Sequence, residues 1–348
     1  MRPAYANRVS TVPKLPDTPE TCSLEFVPAD NPAERDLPLA PTVRHVAGIL
    51  FATIVPLVGL AAAVWYAAAE GRFRVFDAVL LIGGTWLGGQ GITLGYHRLL
   101  THRAFEADRW LRNVLTAVGA LTVQKSPLDW CAAHRKHHEF SDKPGDPHSP
   151  HVHGDGEHRG VWSGLWYAHV GWLFTGHIMT PDLKRYVPDL LKDRFAMAVH
   201  RTWDYFWVPL AFLIPAGLGA LWYGITAGGW GDGALRGFLW GGCGRIFLTH
   251  HLTWSVNSIC HLWGGREFAS RDASRNNVVC ALVTSGEGWH NNHHAFPTSA
   301  RLGLRWWQFD SGWVLLRFFE RAGWVRNVTV PTPEQMNRRK VAAETSTA

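Results

Sequence analysis

Charge is scarce in this chain of 348 residues: Asp, Glu, Lys and Arg together make up 18%, against about 25% in soluble domains. With 47% hydrophobic and 12% aromatic residues, that scarcity excludes a disordered chain or a coiled coil. Cysteine is sparse too. Cys22, Cys131, Cys243, Cys260 and Cys280 are odd in number, far apart, and form no CxxC. A disulfide framework and a zinc ribbon are excluded, and reduced thiols are expected. No apolar h-region precedes residue 46, so no cleavable signal peptide is expected. No repeat or low-complexity tract is evident, and no nucleic-acid partner is expected.

What the sequence has is long charge-free runs. Residues 46–69, 78–96 and 205–231 carry no Asp, Glu, Lys or Arg. About 20 apolar residues cross a bilayer core, so each run is a membrane-span candidate. A fourth candidate, residues 237–262, is interrupted by Arg245, His250 and His251. Residues 114–123 are too short to cross and read as a re-entrant or interfacial helix. Linkers 70–77 and 232–236 are short, whereas about a hundred residues separate the second and third runs. The expectation is an all-α membrane protein with four transmembrane helices in two hairpins. Residues 1–40, with seven prolines, read as a flexible arm, 41–330 as the membrane domain and 331–348 as a flexible tail. Segments 1–45, 97–204 and 263–348 hold 5, 14 and 11 Lys/Arg, against 3 in the short linkers. That bias places both termini and the central segment in the cytoplasm.

The second abundance is histidine, 19 in all. His97 and His102 form one cluster, His134, His137 and His138 a second, and His290, His293 and His294 a third, with His261 apart. In the second and third clusters, spacing i, i+3, i+4 puts the imidazoles on one helical face, converging on one point. His97 and His102, at i and i+5, diverge on a regular helix, so the second span should end or unwind there. A buried polar group without a partner is costly, and metal satisfies nine neutral imidazoles most simply. Imidazole suits Zn, Cu, Fe and Ni, and nine ligands exceed what one tetrahedral ion takes. Two metals are therefore expected. A non-catalytic metal- or haem-binding membrane protein is the competing class, but haem needs paired histidines at mid-membrane depth, where only His250 and His251 lie.

The stretches HRLLTHRAF, HRKHHEFSDKPGDPHSP, WSVNSICHLWG and GEGWHNNHHAFP resemble the boxes of the membrane-bound fatty acid desaturases, closest to the stearoyl-CoA (Δ9) branch. With AHVGW at 168–172, the resemblance spans roughly residues 78–305. It implies a cytosolic helical cap over the four helices, holding a di-iron site, with O2 as co-substrate and a cis double bond as product. By matching, the ligands are His97, His102, His134, His137, His138, His261, His290, His293 and His294, with Asn257 acting through water. The resemblance does not divide them between the irons. The implied substrate is a saturated long-chain acyl-CoA, with an acyl lipid as the alternative carrier and hydroxylation as the alternative reaction. A separate electron donor is implied: a ferredoxin, a flavodoxin, or a cytochrome b5-like protein with its reductase. No haem-binding His-Pro-Gly-Gly motif occurs, so no fused cytochrome b5 domain is expected. The expected location is the inner membrane of a bacterial cell, with the active site cytoplasmic.

Candidate substrate contacts are Trp86, Gly88, Gln124, Arg135, Lys136 and Arg245. Gly84, Gly88, Gly91 and Gly95 make one bare face on the second run, read either as a tunnel wall or as a packing surface. Trp86 reads either as a limit on tunnel depth or as a lipid-facing residue, the commoner case for Trp. Arg135 and Lys136 could meet CoA phosphates. Arg245 is the one Lys or Arg inside a run, a functional position by default. Where the acyl-CoA branch commonly has Arg-Asp before the second box, this chain has Ala132 and Ala133. His148, His151, His153 and His158 read as a solvated loop.

Overall fold

The computed structural model describes residues 43–152, 160–175 and 182–341. The expected arm, Cys22, His153, His158 and residues 342–348 lie outside these. Helix α1 (Val43–Ala69) ends where Gly71 turns the chain at φ +66°. Helix α2 (Val75–Thr101) follows it directly. Helix α3 (Arg109–Ala120) takes in residues 114–120 of the expected interfacial stretch 114–123 and buries Leu111, Leu115 and Gly119, one face at spacing 4. Helix α4 (Pro127–Phe140) starts with Ser126 accepting from Asp129 N–H and Pro127 in its first turn, a strong start signal. Helices α5 (Val161–His169) and α6 (Arg194–Ala227) follow.

Among the described residues, α1, α2 and α6 are long and apolar enough to cross a membrane. The fourth run belongs to helix α7, a continuous helical stretch over 230–262 with wider π turns at Gly237–Gly244. Here the structure differs from the sequence reading. The expected 232–236 linker is helical, and the reversal comes earlier, at Gly228 with φ +68°. The charges at the linker's ends are paired within the fold: Asp232 binds Arg74 and Tyr66, and Arg236 binds Asp77 and Asp232. The α6–α7 hairpin is tight because a Cβ on Gly219 would lie 2.2 Å from Gly233 O.

The glycine face of α2 is a packing surface. A Cβ on Gly91 would lie 2.4 Å from Gly119 N, and one on Gly95 2.7 Å from Leu115 O, so α3 lies directly on α2. Beneath the histidines, Leu94, Leu99 and Leu100 of α2 form one core with Leu111 and Leu115 of α3 and Leu128 and Cys131 of α4. Two short strands, β1 (Glu106–Ala107) and β2 (Val325–Arg326), pair antiparallel and tie the C-terminal part back to α2. Helix α8 (Val278–Val283), α9 (His290–Ala295), α10 (Ser311–Arg321) and α11 (Pro333–Arg339) complete the chain. The tail read as flexible is partly anchored: Ala269 N–H donates to Arg339 O at 2.7 Å.

Candidate metal centre

The end of α2 is built for its two histidines. Residues Gly91–Thr101 are π-helical, and His102 N–H donates to His97 O at 3.1 Å. An i→i+5 bond brings residue 102 over residue 97, and their rings lie 4.9 Å apart. The expected end of regular helix is there, as a widened final turn.

The nine histidines form two sets. His97, His102, His134, His138 and His293 offer nitrogens all within 4.8 Å of one another; His137, His261, His290 and His294 form a second such set. The expectation of convergence on one point is thereby corrected. On a helix of 3.6 residues per turn, i and i+4 differ by about 40°, whereas i+3 lies about 60° to the other side. His134 and His138 of α4 therefore share a pocket and His137 turns to the other. On α9 the same rule sends His290 and His294 one way and His293 the other.

The sets fit metal ions on their own chemistry. His97 Nε2 faces His293 Nε2 at 3.0 Å, His293 Nε2 faces His138 Nε2 at 2.9 Å, and His261 Nε2 faces His290 Nε2 at 3.0 Å. His102 Nε2, His137 Nε2, His294 Nε2, His290 Nδ1 and His293 Nδ1 are buried without a hydrogen-bond partner. Burial, then the neighbouring imidazoles, pushes His102, His134, His138, His290 and His293 well below the ordinary imidazole value. Burial takes His294 down to about 4, against the pull of Asp272. Neutral imidazole is the ligand form.

Four carboxylates stand behind the ligands. His97 Nδ1 lies 2.7 Å from Glu287, His137 Nδ1 3.0 Å from Asp146, His261 Nδ1 2.8 Å from Asp142, and His294 Nδ1 2.8 Å from Asp272. Such partners fix the tautomer and turn Nε2 toward a metal. Burial opposes ionisation of Asp142 and Asp272, yet the bonds and charge of their histidines hold both below the usual carboxylate range. Sequence reasoning missed all four. Asp142, Asp146 and Glu287 lay inside the quoted boxes, and the rule that ligating histidines take carboxylate partners could have found them. Asp272 carried no such signal. Arg98, also unremarked, is buried with both arms on Asp310 at 2.9 and 3.0 Å, and lies 3.6 Å from Glu287.

A cavity opens from the site. His97, His134, His290, Asn257 and Glu287 line its polar end; Thr85, Trp86, Ile92, Leu252 and Val283 line the rest. Asn257 sits one turn before His261 on α7. Trp86 reaches the cavity and is also 47% exposed. Gln124 stands behind the wall, donating to Thr253 Oγ1 at 3.0 Å, and Thr253 lines the cavity.

Three expected substrate contacts are occupied elsewhere. The bare face of Gly88 meets Thr122 and Arg245 rather than the cavity. Arg135 commits all five N–H groups, to Asp189 and to the carbonyls of Leu100, Thr101 and Tyr186. Lys136, beside it, is half-buried. Arg245 is buried, giving its N–H groups to the carbonyls of Gly241, Leu121 and Ala211, so it staples α3 and α6 to α7. In the loop read as solvated, His148 is buried with its ring 4.4 Å from His137, and His151 Nε2 lies 2.9 Å from His261 O.

A family model described as fatty acid desaturase matches residues 74–329. The chain belongs to the fatty acid desaturase family. This desaturase is an oxidoreductase of lipid metabolism, and its histidine sets are of the kind that its di-iron family uses. It is 40% identical over 298 residues to a hex-5-enoyl-[acyl-carrier protein] acetylenase of Moorena producens, covering 84% of this chain and 89% of that one. It is 38% identical over 254 residues to delta-9 acyl-lipid desaturase 1 of Arabidopsis thaliana, with 72% and 75% covered. Against the sn-1 stearoyl-lipid 9-desaturase of Synechocystis the identity is 35% over 249 residues, with 72% and 70% covered.

Proposed function

We propose that this desaturase places a cis double bond, at Δ9, in a saturated long-chain acyl group carried by a membrane lipid. The observation that carries the reading is the apolar cavity ending on His97, His134 and His290, one or more ligands from each histidine set. Two irons held by the nine histidines supply the activation of O2, fed by a separate electron donor. The chain's own residues supply position. Trp86, Ile92, Leu252 and Val283 hold the acyl chain by apolar contact and exclude water. Thr253, held by Gln124, shapes the wall near the metal end. Asn257 offers an amide to the four-histidine set through water.

The lipid carrier is favoured over CoA for two reasons. Arg135 has no N–H left for a phosphate, and Ala132 and Ala133 replace the polar anchors of the acyl-CoA branch. The relatives named as lipid 9-desaturases agree with this carrier and position. The acetylenase relative keeps a second carrier in view, an acyl-carrier protein. In the same reading α7 is a fourth span beside α1, α2 and α6, with both termini and the histidines on the cytoplasmic face of a bacterial inner membrane. The test gives purified enzyme and an electron donor three substrates: stearoyl-phospholipid, stearoyl-CoA and stearoyl-acyl-carrier protein. Oleoyl product from phospholipid is expected, and turnover of either soluble thioester alone overturns the carrier. A reporter fusion that places residue 150 outside the cell overturns the topology.

A further inference from the structure

The two histidine sets differ in charge. Around the four-histidine set stand three carboxylates, each on a ligand Nδ1: Asp142 on His261, Asp146 on His137 and Asp272 on His294. Their other partners are neutral. Asp142 takes Ala273 N–H and the Ser149 hydroxyl, Asp146 takes the N–H groups of Asp142 and His148, and Asp272 takes Ser274 N–H and the Ser270 hydroxyl. His148 Nδ1 lies 3.8 Å from Asp146, and His151 Nε2 lies 2.9 Å from His261 O. Among the described residues, one carboxylate touches a ligand of the five-histidine set, Glu287 on His97. That charge is shared with the Thr93 hydroxyl and with Arg98 at 3.6 Å.

We propose that Asp142, Asp146 and Asp272 make the four-histidine pocket the one that keeps its iron ferric, so that the first electron from the donor is accepted in the five-histidine pocket. The proposal rests on the di-iron reading above. The physical basis is that negative charge on a ligand's far nitrogen raises ligand basicity and stabilises the more highly charged metal. A fifth imidazole adds a donor atom but no charge. Three carboxylates against one partly neutralised carboxylate therefore decide the order. In the step, one electron passes from the donor to one ferric ion, giving ferrous; the second iron is unchanged until a second electron arrives. The three aspartates are positioning residues, since they act through the histidines they hold.

The experiment uses the full-length enzyme loaded with 57Fe and reduced anaerobically by dithionite, one electron per chain, with Mössbauer spectra at each step. Fewer than two irons in the oxidised protein overturns the di-iron reading, and this proposal with it. With two irons present, the half-reduced protein should show a single ferric species. Asp272→Asn or Asp146→Asn should turn it toward an equal mixture of two ferric species, each variant serving if the other fails to fold. Glu287→Gln should leave the order intact. An equal mixture in the unaltered protein overturns the proposal. So does order that survives both aspartate variants, or order that Glu287→Gln alone abolishes.

Discussion

The two ends of the helix bundle both bury polar groups, and they do so differently. At the start of α2 and α7, Asp77 and Arg236 are fully buried and 2.7 Å apart; Tyr223 donates to Asp77 at 2.9 Å. Asp232 accepts from Tyr66 at 2.5 Å and Arg74 at 2.9 Å. Opposite charges meet there, and the network leaves one donor, Arg236 Nη2, without a hydrogen bond. At the other end, some twenty residues or about 30 Å along α2, nitrogens face nitrogens, and five ligand imidazoles keep an unpartnered buried atom. The first set closes on itself and is architecture. The second leaves its nitrogens facing one another, an arrangement that could hold metal ions, and is the candidate site. Burial alone does not separate the two; the sign and completeness of the partners do.

The hardest blow to this contrast comes from its functional end. His137→Ala and His293→Ala should each abolish desaturation, because each removes a ligand that no neighbour replaces. The protein should still insert, and iron per chain should fall below two. Fatty acid analysis of expressing cells, with metal counting on the purified variants, checks this. Full activity in either variant sinks the ligand assignment. At the structural end, Asp77→Ala removes the nearer of the two carboxylates that hold buried Arg236, leaving Asp232 at 3.2 Å, and should cost about 1–3 kcal/mol. Replacing both partners by apolar residues, Asp77→Leu with Arg236→Met, should recover most of that loss. Thermal denaturation in detergent reads both, and iron content per folded chain should stay at the unaltered level throughout. A double variant as unstable as the single one would mean that this end, too, needs its charges.

A smaller effect separates packing from substrate on α2. Gly91→Ala drives a Cβ to 2.4 Å from Gly119 N, a backbone atom that cannot step aside. Overpacking of this kind costs about 1–3 kcal/mol. Gly88→Ala meets the Thr122 methyl at 3.2 Å and Arg245 and Thr249 at ordinary contact distance, all side chains, and should cost less. Neither change should alter which acyl chains are used, because neither face borders the cavity. A shift in product chain length from Gly91→Ala would restore the tunnel-wall reading of that face.

Much of this contrast was legible in the sequence, but unevenly. Charge-free runs located α1, α2 and α6, since a bilayer demands about 20 apolar residues and little else. The same logic misplaced the α6–α7 turn, because a break in the charge-free runs at Asp232–Arg236 reads as a linker, while the partners that bury these charges, Arg74, Tyr66 and Asp77, lie some 160 residues away. The histidine clusters announced a metal centre through spacing alone. Spacing divides the histidines within each helix, but that His293 joins His134 and His138, and His137 joins His290 and His294, depends on how α4 and α9 pack. Arg135 and Arg245 show the same limit. A lone cation in a functional stretch suggests a ligand contact, and only the fold shows its N–H groups already spent on carbonyls and Asp189.

The smallest expected effect concerns Trp86, where the two kinds of region meet. Its indole lines the cavity yet is 47% exposed on the outer face of α2. It lies eleven residues before His97, about 16 Å along the helix. A chain bound with its reacting carbons at the histidines would have its far end near this ring. Trp86→Ala removes a wall rather than a core side chain, so stability should change little. The rejection of longer chains should weaken. A pocket discriminates a single methylene by about 1–3 kcal/mol, so loss of one wall contact should raise the relative use of the next longer acyl chain by about tenfold or more. Competition between stearoyl and arachidoyl groups on the same lipid, with products resolved by gas chromatography, measures the ratio directly. An unchanged ratio with unchanged activity would mean that Trp86 serves the lipid-facing surface alone, and that the depth of the cavity is set by Ile92, Leu252 or Val283.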